Sequence, residues 1–330
     1  MKAAYLTAYG PPETLAIRDM PDPVLGPNDV LIRQHASSVS PADCAMRSGN
    51  PPLVRLFSGL ARPKEPIPGG AVAGMVEAVG AGVTRFRVGD RVFGTTDPKP
   101  NAMAELVALR EDGVLALLPA RCSFGEVAGL SYSFLTAMPY LRDEAKLLPG
   151  QSILINGAAG SIGTVAVQLA KQMGAIVTAV CSTRNVELVR SLGADRVIDR
   201  TQEDFTNARD AYHVIFDTVG KSSFADSRAA LKQGGIYLTT VPSLAILAHM
   251  LRGNRADAKR AKMATTGLRS AADKATDIDI LRTMIEAGQL RGVIDKRFPL
   301  GEIAAAHRYV DLGTKAGDAI IDITPPLVQA

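Results

Sequence analysis

The chain has 330 residues, enough for two ordinary domains; 47% of them are apolar and the mean hydropathy is +0.10, which excludes a disordered chain. Its 37 basic and 33 acidic residues leave a formal charge of +4, too small at this length to point to nucleic acid, and no nucleic-acid signature accompanies it. Three distant cysteines, Cys44, Cys122 and Cys181, form no CxxC pair and indicate reduced thiols in a cytoplasmic setting.

The opening MKAAYLTAYG lacks the apolar core and cleavage site of a signal peptide. Apolar runs elsewhere stop well short of the roughly 18 residues of a membrane span, so no membrane association is expected. Residues 1–124 are rich in Gly, Pro and Val, with strands expected over 30–33, 72–79, 91–94 and 104–108. The glycine-dense 79–90 reads as a hairpin-like connection between two of them. This half has the texture of a β-rich, barrel-like domain.

The pattern changes at Ser123, an N-cap with Glu126 three residues on, and a helix is expected to run to about Leu141. Strands at 153–155, 176–180, 196–198, 214–216 and 236–240 then alternate with helices at 163–173, 184–192 and 223–231. That alternation predicts an α/β, doubly wound parallel sheet. The basic stretch LRGNRADAKRAKM that follows reads as a solvated helix face. A late helix at 278–287 and a strand at 319–323 close the chain, and the last strand is expected to return to the first domain. The division is 1–124 with 272–330, and 125–271 between them.

Residues 151–184, QSILINGAAGSIGTVAVQLAKQMGAIVTAVCSTR, give strand, glycine turn, helix and strand in succession. Ala158, Ala159, Gly160, Ser161, Ile162 and Gly163 form the turn. Against GxGxxG the first glycine is alanine, so the motif alone is weak, and its strand–turn–helix setting supplies the support. Gly160 lets backbone approach a pyrophosphate, Gly163 lets the helix pack closely on the sheet, and the helix N-terminus offers N–H groups to an anion.

At the end of the second strand an NAD-preferring site usually carries an acid for the ribose 2′-hydroxyl. Here Cys181, Ser182, Thr183 and Arg184 include none, and Arg200 follows the third strand. Hydroxyls and guanidinium groups suit a 2′-phosphate, so NADPH is the expected cofactor. Ser182 or Thr183 also serves as a helix cap in this reading.

VSPADCAMRSG at 39–49, PGGAVAGMVEAVGAGVTRFRVGDRVFG at 68–94, NGAAGSIG, LGADRVID, FDTVG, AGQLRGVIDKRFPL and AAHRYVDLG together resemble the medium-chain dehydrogenase/reductase superfamily, in its zinc-free quinone oxidoreductase-like branch. The resemblance runs end to end. It implies a GroES-like β-barrel domain, a Rossmann domain inserted into it, a cofactor cleft where the two meet, and a homodimer.

It also implies site residues. Thr136 lies near the nicotinamide, and Ser182 and Arg184 by the 2′-phosphate. Thr218 and Val219 line the adenosine side, with Thr240 and Val241 nearer the nicotinamide. Ser40 belongs to the cleft, where the family often has Asn. Ala71 stands where close relatives often have an acid, and Asp318 where a late GK motif has Lys. Zinc-dependent relatives place Cys at Ser40 and His at Gly70, and their third ligand and four-cysteine lobe have no counterpart here. Zinc needs three protein ligands to hold an open catalytic site, so none is expected.

Without a Lewis acid, simple carbonyls are poor acceptors, while quinones and conjugated enones spread the incoming charge themselves. The expected function is NADPH-dependent transfer of hydride to a quinone or conjugated carbonyl. An enoyl or alkenal double-bond reductase is the rival enzyme, and an NADPH-binding sensor or structural protein with little turnover is the non-enzyme rival. No general acid is assigned; Tyr132, Ser133 and Ser40 are the candidates, with helix packing the alternative for Tyr132 and Ser133. None of the four histidines has a partner at metal or relay spacing. The apolar 244–251 reads as a substrate entrance or a subunit contact.

Overall fold

The structure is a computed structural model describing residues 1–251 and 259–324. The chain divides into two compact units, the first made of Met1–Tyr132 and the chain from Arg269 onward, the second of Ser133–Leu268.

In the first unit a seven-stranded sheet runs Ile294–Pro299, Asp318–Asp322, Asp29–Val39, Ala71–Val79, Arg91–Thr95, Leu115–Leu117, with Leu106–Arg110 also paired to Asp29–Val39. All pairings but that of the first two strands are antiparallel. The 11-residue Asp29–Val39 strand serves three partners because bulges at 31/32 and 34/36 bend it. Lys2–Leu6 and Leu15–Asp19 make a separate antiparallel pair. The expected strand at 104–108 begins later, at Leu106, because Ala104 bridges to Ala3 instead.

The second unit holds a six-stranded sheet in the order Arg196–Asp199, Ile176–Cys181, Ser152–Asn156, Tyr212–Asp217, Leu231–Thr239, Arg260–Lys262, every pairing parallel. In chain order within the unit this is 3-2-1-4-5-6, the doubly wound dinucleotide-binding order. Ile153, Leu154 and Ile155 are all fully buried, as a strand covered on both faces must be.

Ser123 caps Phe124–Pro139 as expected: its hydroxyl accepts from Glu126 N at 3.3 Å and Glu126 Oε2 accepts from Ser123 N at 3.0 Å. The division between the units falls within this helix. Pro139, which has no N–H to donate, leads into a π-helical turn over Tyr140–Glu144. The expected helix over 223–231 is only Phe224–Ser227. The chain enters its strand at Leu231, and the register shifts before Ile236, where Gly234 (φ 72°) and Gly235 loosen the backbone. The basic stretch 251–263 lies partly outside the described residues, and its end, Arg260–Lys262, is the sheet's last strand rather than helix.

Candidate functional site

Parallel register brings five loops to one edge of the second sheet. Asn156 pairs with Val180 and with Asp217, Cys181 with Asp199, and Asp217 with Thr239. The residues that follow these strand ends are therefore neighbours: the 157–163 turn, 182–184, Arg200, Thr218–Val219 and Thr240–Val241. Chain order reverses beside Ser152–Asn156, so the crevice of an open α/β sheet opens at this edge.

The turn is built by three glycines with different duties. Gly157 has φ +81°, and a Cβ on it would stand 2.5 Å from Val219 Cγ1 and 2.8 Å from Thr218 Oγ1. It, and not the position of Ala158, is the tight-turn glycine. The Asn156–Gly157 pair after an apolar strand was the signal for it in the sequence. A Cβ on Gly163 would lie 2.2 Å from Gly157 O, so the helix sits directly on the turn. At Gly160 a Cβ would meet nothing nearer than Gly157 O at 3.4 Å, and its φ of −77° suits any residue. Protein packing does not demand glycine there, whereas a close-lying ligand would. Gly160 is also the N-cap of Ser161–Gln172 and gives that helix no side-chain cap, which leaves backbone N–H groups for an anion. These features fit a dinucleotide pyrophosphate.

Sequence reasoning missed the organiser of this edge. Asp217 is fully buried, and its Oδ1 accepts from Asn156 Nδ2 at 3.2 Å, Val219 N at 3.1 Å and Gly220 N at 3.0 Å. Its Oδ2 accepts from Ser222 N and from the Tyr237 hydroxyl, both at 3.0 Å. Five donors around a buried carboxylate replace the water it gave up. The fixed loop presents Thr218, whose hydroxyl donates to Asn156 O at 2.9 Å and whose carbonyl accepts from the Thr240 hydroxyl at 3.2 Å. A charged residue ending an apolar strand, as in FDTVG, was the available signal.

In the loop after Ile176–Cys181, Asn185 Nδ2 donates to Ser182 Oγ at 3.3 Å, which leaves the serine proton to donate elsewhere. Thr183, Arg184 and Arg200 are exposed. The loop itself carries no acid, but the next strand supplies one. Asp199 pairs in register with Cys181, and it accepts from Thr201 N at 2.9 Å and Thr201 Oγ1 at 2.8 Å. Hydrogen bonds, led by that from the Thr183 hydroxyl, hold its carboxyl below the usual range.

Ser133 and Thr136 lie one turn apart on Phe124–Pro139 in the second unit, Ser133 buried and Thr136 partly so. Ser40 and Tyr132 belong to the first unit. Ser40 caps the helix Pro41–Ser48: its hydroxyl donates to Asp43 Oδ2 at 2.6 Å, and its N–H donates to the same oxygen at 2.8 Å. The ring of Tyr132 lies against Gly70, where a Cβ would come within 2.9 Å of Cε2. Tyr132 is 44% exposed overall, but desolvation of its phenol, then the carboxylates of Asp43 and Asp97, push that group upward, so it stays protonated. Ala71 is buried in its strand, with its carbonyl accepting from the Ser37 hydroxyl at 2.8 Å. Asp318 is buried beside Gly129 and not presented as a surface charge.

The histidines serve packing. His35 stacks on Phe124, His249 meets Phe224 edge-on, His213 Nδ1 accepts from Ser152 N, and His307 Nδ1 lies 3.5 Å from Cys44 Sγ. Among the described residues no group of three His, Cys, Asp or Glu is placed to hold a metal ion.

Two family models match this chain. One, described as alcohol dehydrogenase GroES-like domain, covers residues 26–139, and one described as zinc-binding dehydrogenase covers 192–321. A quinone oxidoreductase of Pseudomonas aeruginosa is 32% identical over 332 residues, spanning 97% of this chain and 99% of the relative. The chloroplastic NADPH-dependent alkenal/one oxidoreductase of Arabidopsis thaliana is 30% identical over 334 residues, spanning 97% and 79%. The solved quinone oxidoreductase from Coxiella burnetii superposes with a TM-score of 0.84 at 28% identity, covering 98% of this chain and 99% of that one. The chain belongs to the medium-chain dehydrogenase/reductase superfamily, among its quinone oxidoreductase-like members. Its two-domain α/β fold, GroES-like and Rossmann, is that of the family.

Proposed function

We propose that this chain is an NADPH-dependent oxidoreductase that reduces a quinone or a conjugated carbonyl compound without zinc. The observation that carries the reading is the carboxyl edge of the parallel sheet, where Gly160 leaves room that packing does not require. Relatives named as quinone oxidoreductase and as NADPH-dependent alkenal/one oxidoreductase support both the cofactor and the acceptor class.

NADPH, when bound, supplies a hydride. The 157–163 turn and the Ser161–Gln172 N-terminus hold its pyrophosphate, with Thr218, Val219, Thr240 and Val241 along the same edge and Thr136 toward the nicotinamide. Ser182, Arg184 and Arg200 take the 2′-phosphate. The region 125–271 is then the NADPH-binding domain, and 1–124 with 272–330 the substrate domain.

A quinone or enone distributes the charge it gains over its own π system. The protein has to bind, orient and provide a proton, and a metal to polarise an isolated carbonyl is unnecessary. Donor chemistry agrees: Ser40 spends its hydroxyl on Asp43, and a tyrosine ring lies against Gly70 where a side chain at that position would start. Of the three candidate donors, Ser40 gives its hydroxyl to Asp43 and Ser133 is buried; we assign the proton to Tyr132, whose phenol is held protonated. We take the enzyme to be a cytoplasmic homodimer, on the family resemblance and its three free cysteines. Among the described residues no helix is long and apolar enough to cross a membrane.

NADPH oxidation with a panel of quinones, alkenals and enones tests the reading. Turnover with quinones supports the main assignment, and turnover confined to alkenals and enones selects the double-bond reductase. Tight NADPH binding without turnover across the panel overturns the enzyme and favours a sensor.

A further inference from the structure

We propose that Asp199 is a specificity-determining residue, opposing the 2′-phosphate of NADPH and favouring the free ribose 2′-hydroxyl of NADH. The proposal rests on the carboxyl edge being the dinucleotide site, and it concerns an acid that the loop after the second strand lacks.

Register fixes the placement. Asp199 and Cys181 are paired on adjacent parallel strands, so Arg200–Thr201 and 182–184 leave the sheet side by side. Arg200 N donates to Cys181 O at 2.9 Å, which ties the two exits together. Asp199 Oδ1 takes Thr201 N and Thr201 Oγ1, and Oδ2 takes Gln202 Nε2 at 3.3 Å. The Thr183 hydroxyl donates to the same carboxylate and lies 3.1 Å from Thr201 Oγ1.

The protons of both threonines therefore point at Asp199. Toward a ligand Thr183 presents oxygen lone pairs, which a ribose hydroxyl can use and a phosphate cannot. Ser182 alone among the loop hydroxyls keeps a proton to give. The pocket then sets two guanidinium groups, Arg184 and Arg200, against one carboxylate and an acceptor hydroxyl, which predicts a moderate preference for NADPH rather than an absolute one.

Asp199→Asn isolates the charge. The new amide keeps an oxygen for the Thr201 N–H and O–H, and Thr183 can rotate to accept from the amide nitrogen and turn its proton outward. The chain has no tryptophan, so bound-nicotinamide fluorescence is free of tryptophan energy transfer. Titrations with NADPH and with NADH, on wild type, Asp199→Asn and Asp199→Ser, are the test. The serine variant also removes the charge while keeping an oxygen near Thr201, in case the asparagine variant is unstable.

The expected result is a Kd for NADPH lowered about fivefold, with that for NADH unchanged or raised, and a difference that shrinks as salt increases. If wild type binds both dinucleotides and their ratio of Kd values stays the same in both variants, the proposal is overturned and the site reading stands. If the affinity for NADPH falls on removing the charge, the proposal is likewise overturned. If wild type binds neither dinucleotide, the site reading fails and takes the proposal with it.

Discussion

A Cβ added to Gly163 would stand 2.2 Å from a backbone oxygen, while one added to Gly70 would meet only the ring edge of Tyr132 at 2.9 Å. The contrast separates two regions of the molecule. At the carboxyl edge of the parallel sheet, the proposed binding falls to backbone approach and helix termini, and the side chains mostly hold loops in place, as Asp217 does. Around Ser40, Gly70 and Tyr132 the backbone is a helix N-cap, the residue before a strand and a helix, and what chemistry there is belongs to side chains. Sites made from backbone tolerate few sequences and leave a motif. Sites made from side chains on a common framework leave no spacing to recognise.

The largest test of that contrast is Gly163→Ala. With backbone in the way no rotamer relieves the contact, and the second unit should lose about 3 kcal/mol, read as a lowered unfolding midpoint in urea. An unchanged midpoint would mean that the turn adjusts and that its glycines are not structural.

On the other side, the helix Pro41–Ser48 that Ser40 caps packs its Cys44 on His307, which is fully buried. Burial, then the nearby Arg47 charge, depresses the His307 pKa from 6.5 to about 3. The unfolded chain then binds a proton that the folded chain refuses as pH falls from 6.5 toward 3. The stability contributed is complete above pH 6.5 and is lost below it, at about 1.4 kcal/mol per pH unit. Unfolding midpoints between pH 7.5 and pH 5 should fall accordingly, and less so in His307→Gln; identical slopes would remove His307 as the cause.

Gly160→Ala sharpens the first region. A Cβ there has 3.4 Å to its nearest neighbour, so the midpoint should hold while the Kd for NADPH rises about tenfold, near 1.4 kcal/mol. Loss of stability together with affinity would make Gly160 a packing glycine like Gly163. The smallest effect is expected from Tyr132→Phe, which removes a hydroxyl and keeps the ring. Turnover of enones should drop about fivefold, the scale of one hydrogen bond, at unchanged Kd for NADPH. Unchanged turnover with every acceptor would take Tyr132 out of the chemistry.

Much of the fold was readable along the chain because parallel strands buried on both faces are short apolar runs, and the helices between them begin with caps such as Ser123 and Glu126. That alternation implied a doubly wound parallel sheet, and the order 3-2-1-4-5-6 within it came from the structure. Harder to read were Lys2–Leu6, Leu15–Asp19 and Arg260–Lys262, which are short and lie at an edge or apart from the main sheets, where burial imposes less of a pattern. The segment 223–231 looked helical by composition, but pairing with Tyr212–Asp217 drew its end into a strand.

By itself the sequence determined the family, the two domain types, the glycine turn and the likeness to NADPH-using relatives, because backbone geometry and apolar periodicity are written locally. Only tertiary structure decided that Gly157 makes the tight turn, that Asp217 ties the loops, that Ser40 spends its hydroxyl on Asp43, and that Asp199 stands beside Cys181 and the acid-free loop that follows it. Each of these depends on which residues sit opposite one another across strands or helices, and that register is set by the packing of the whole sheet.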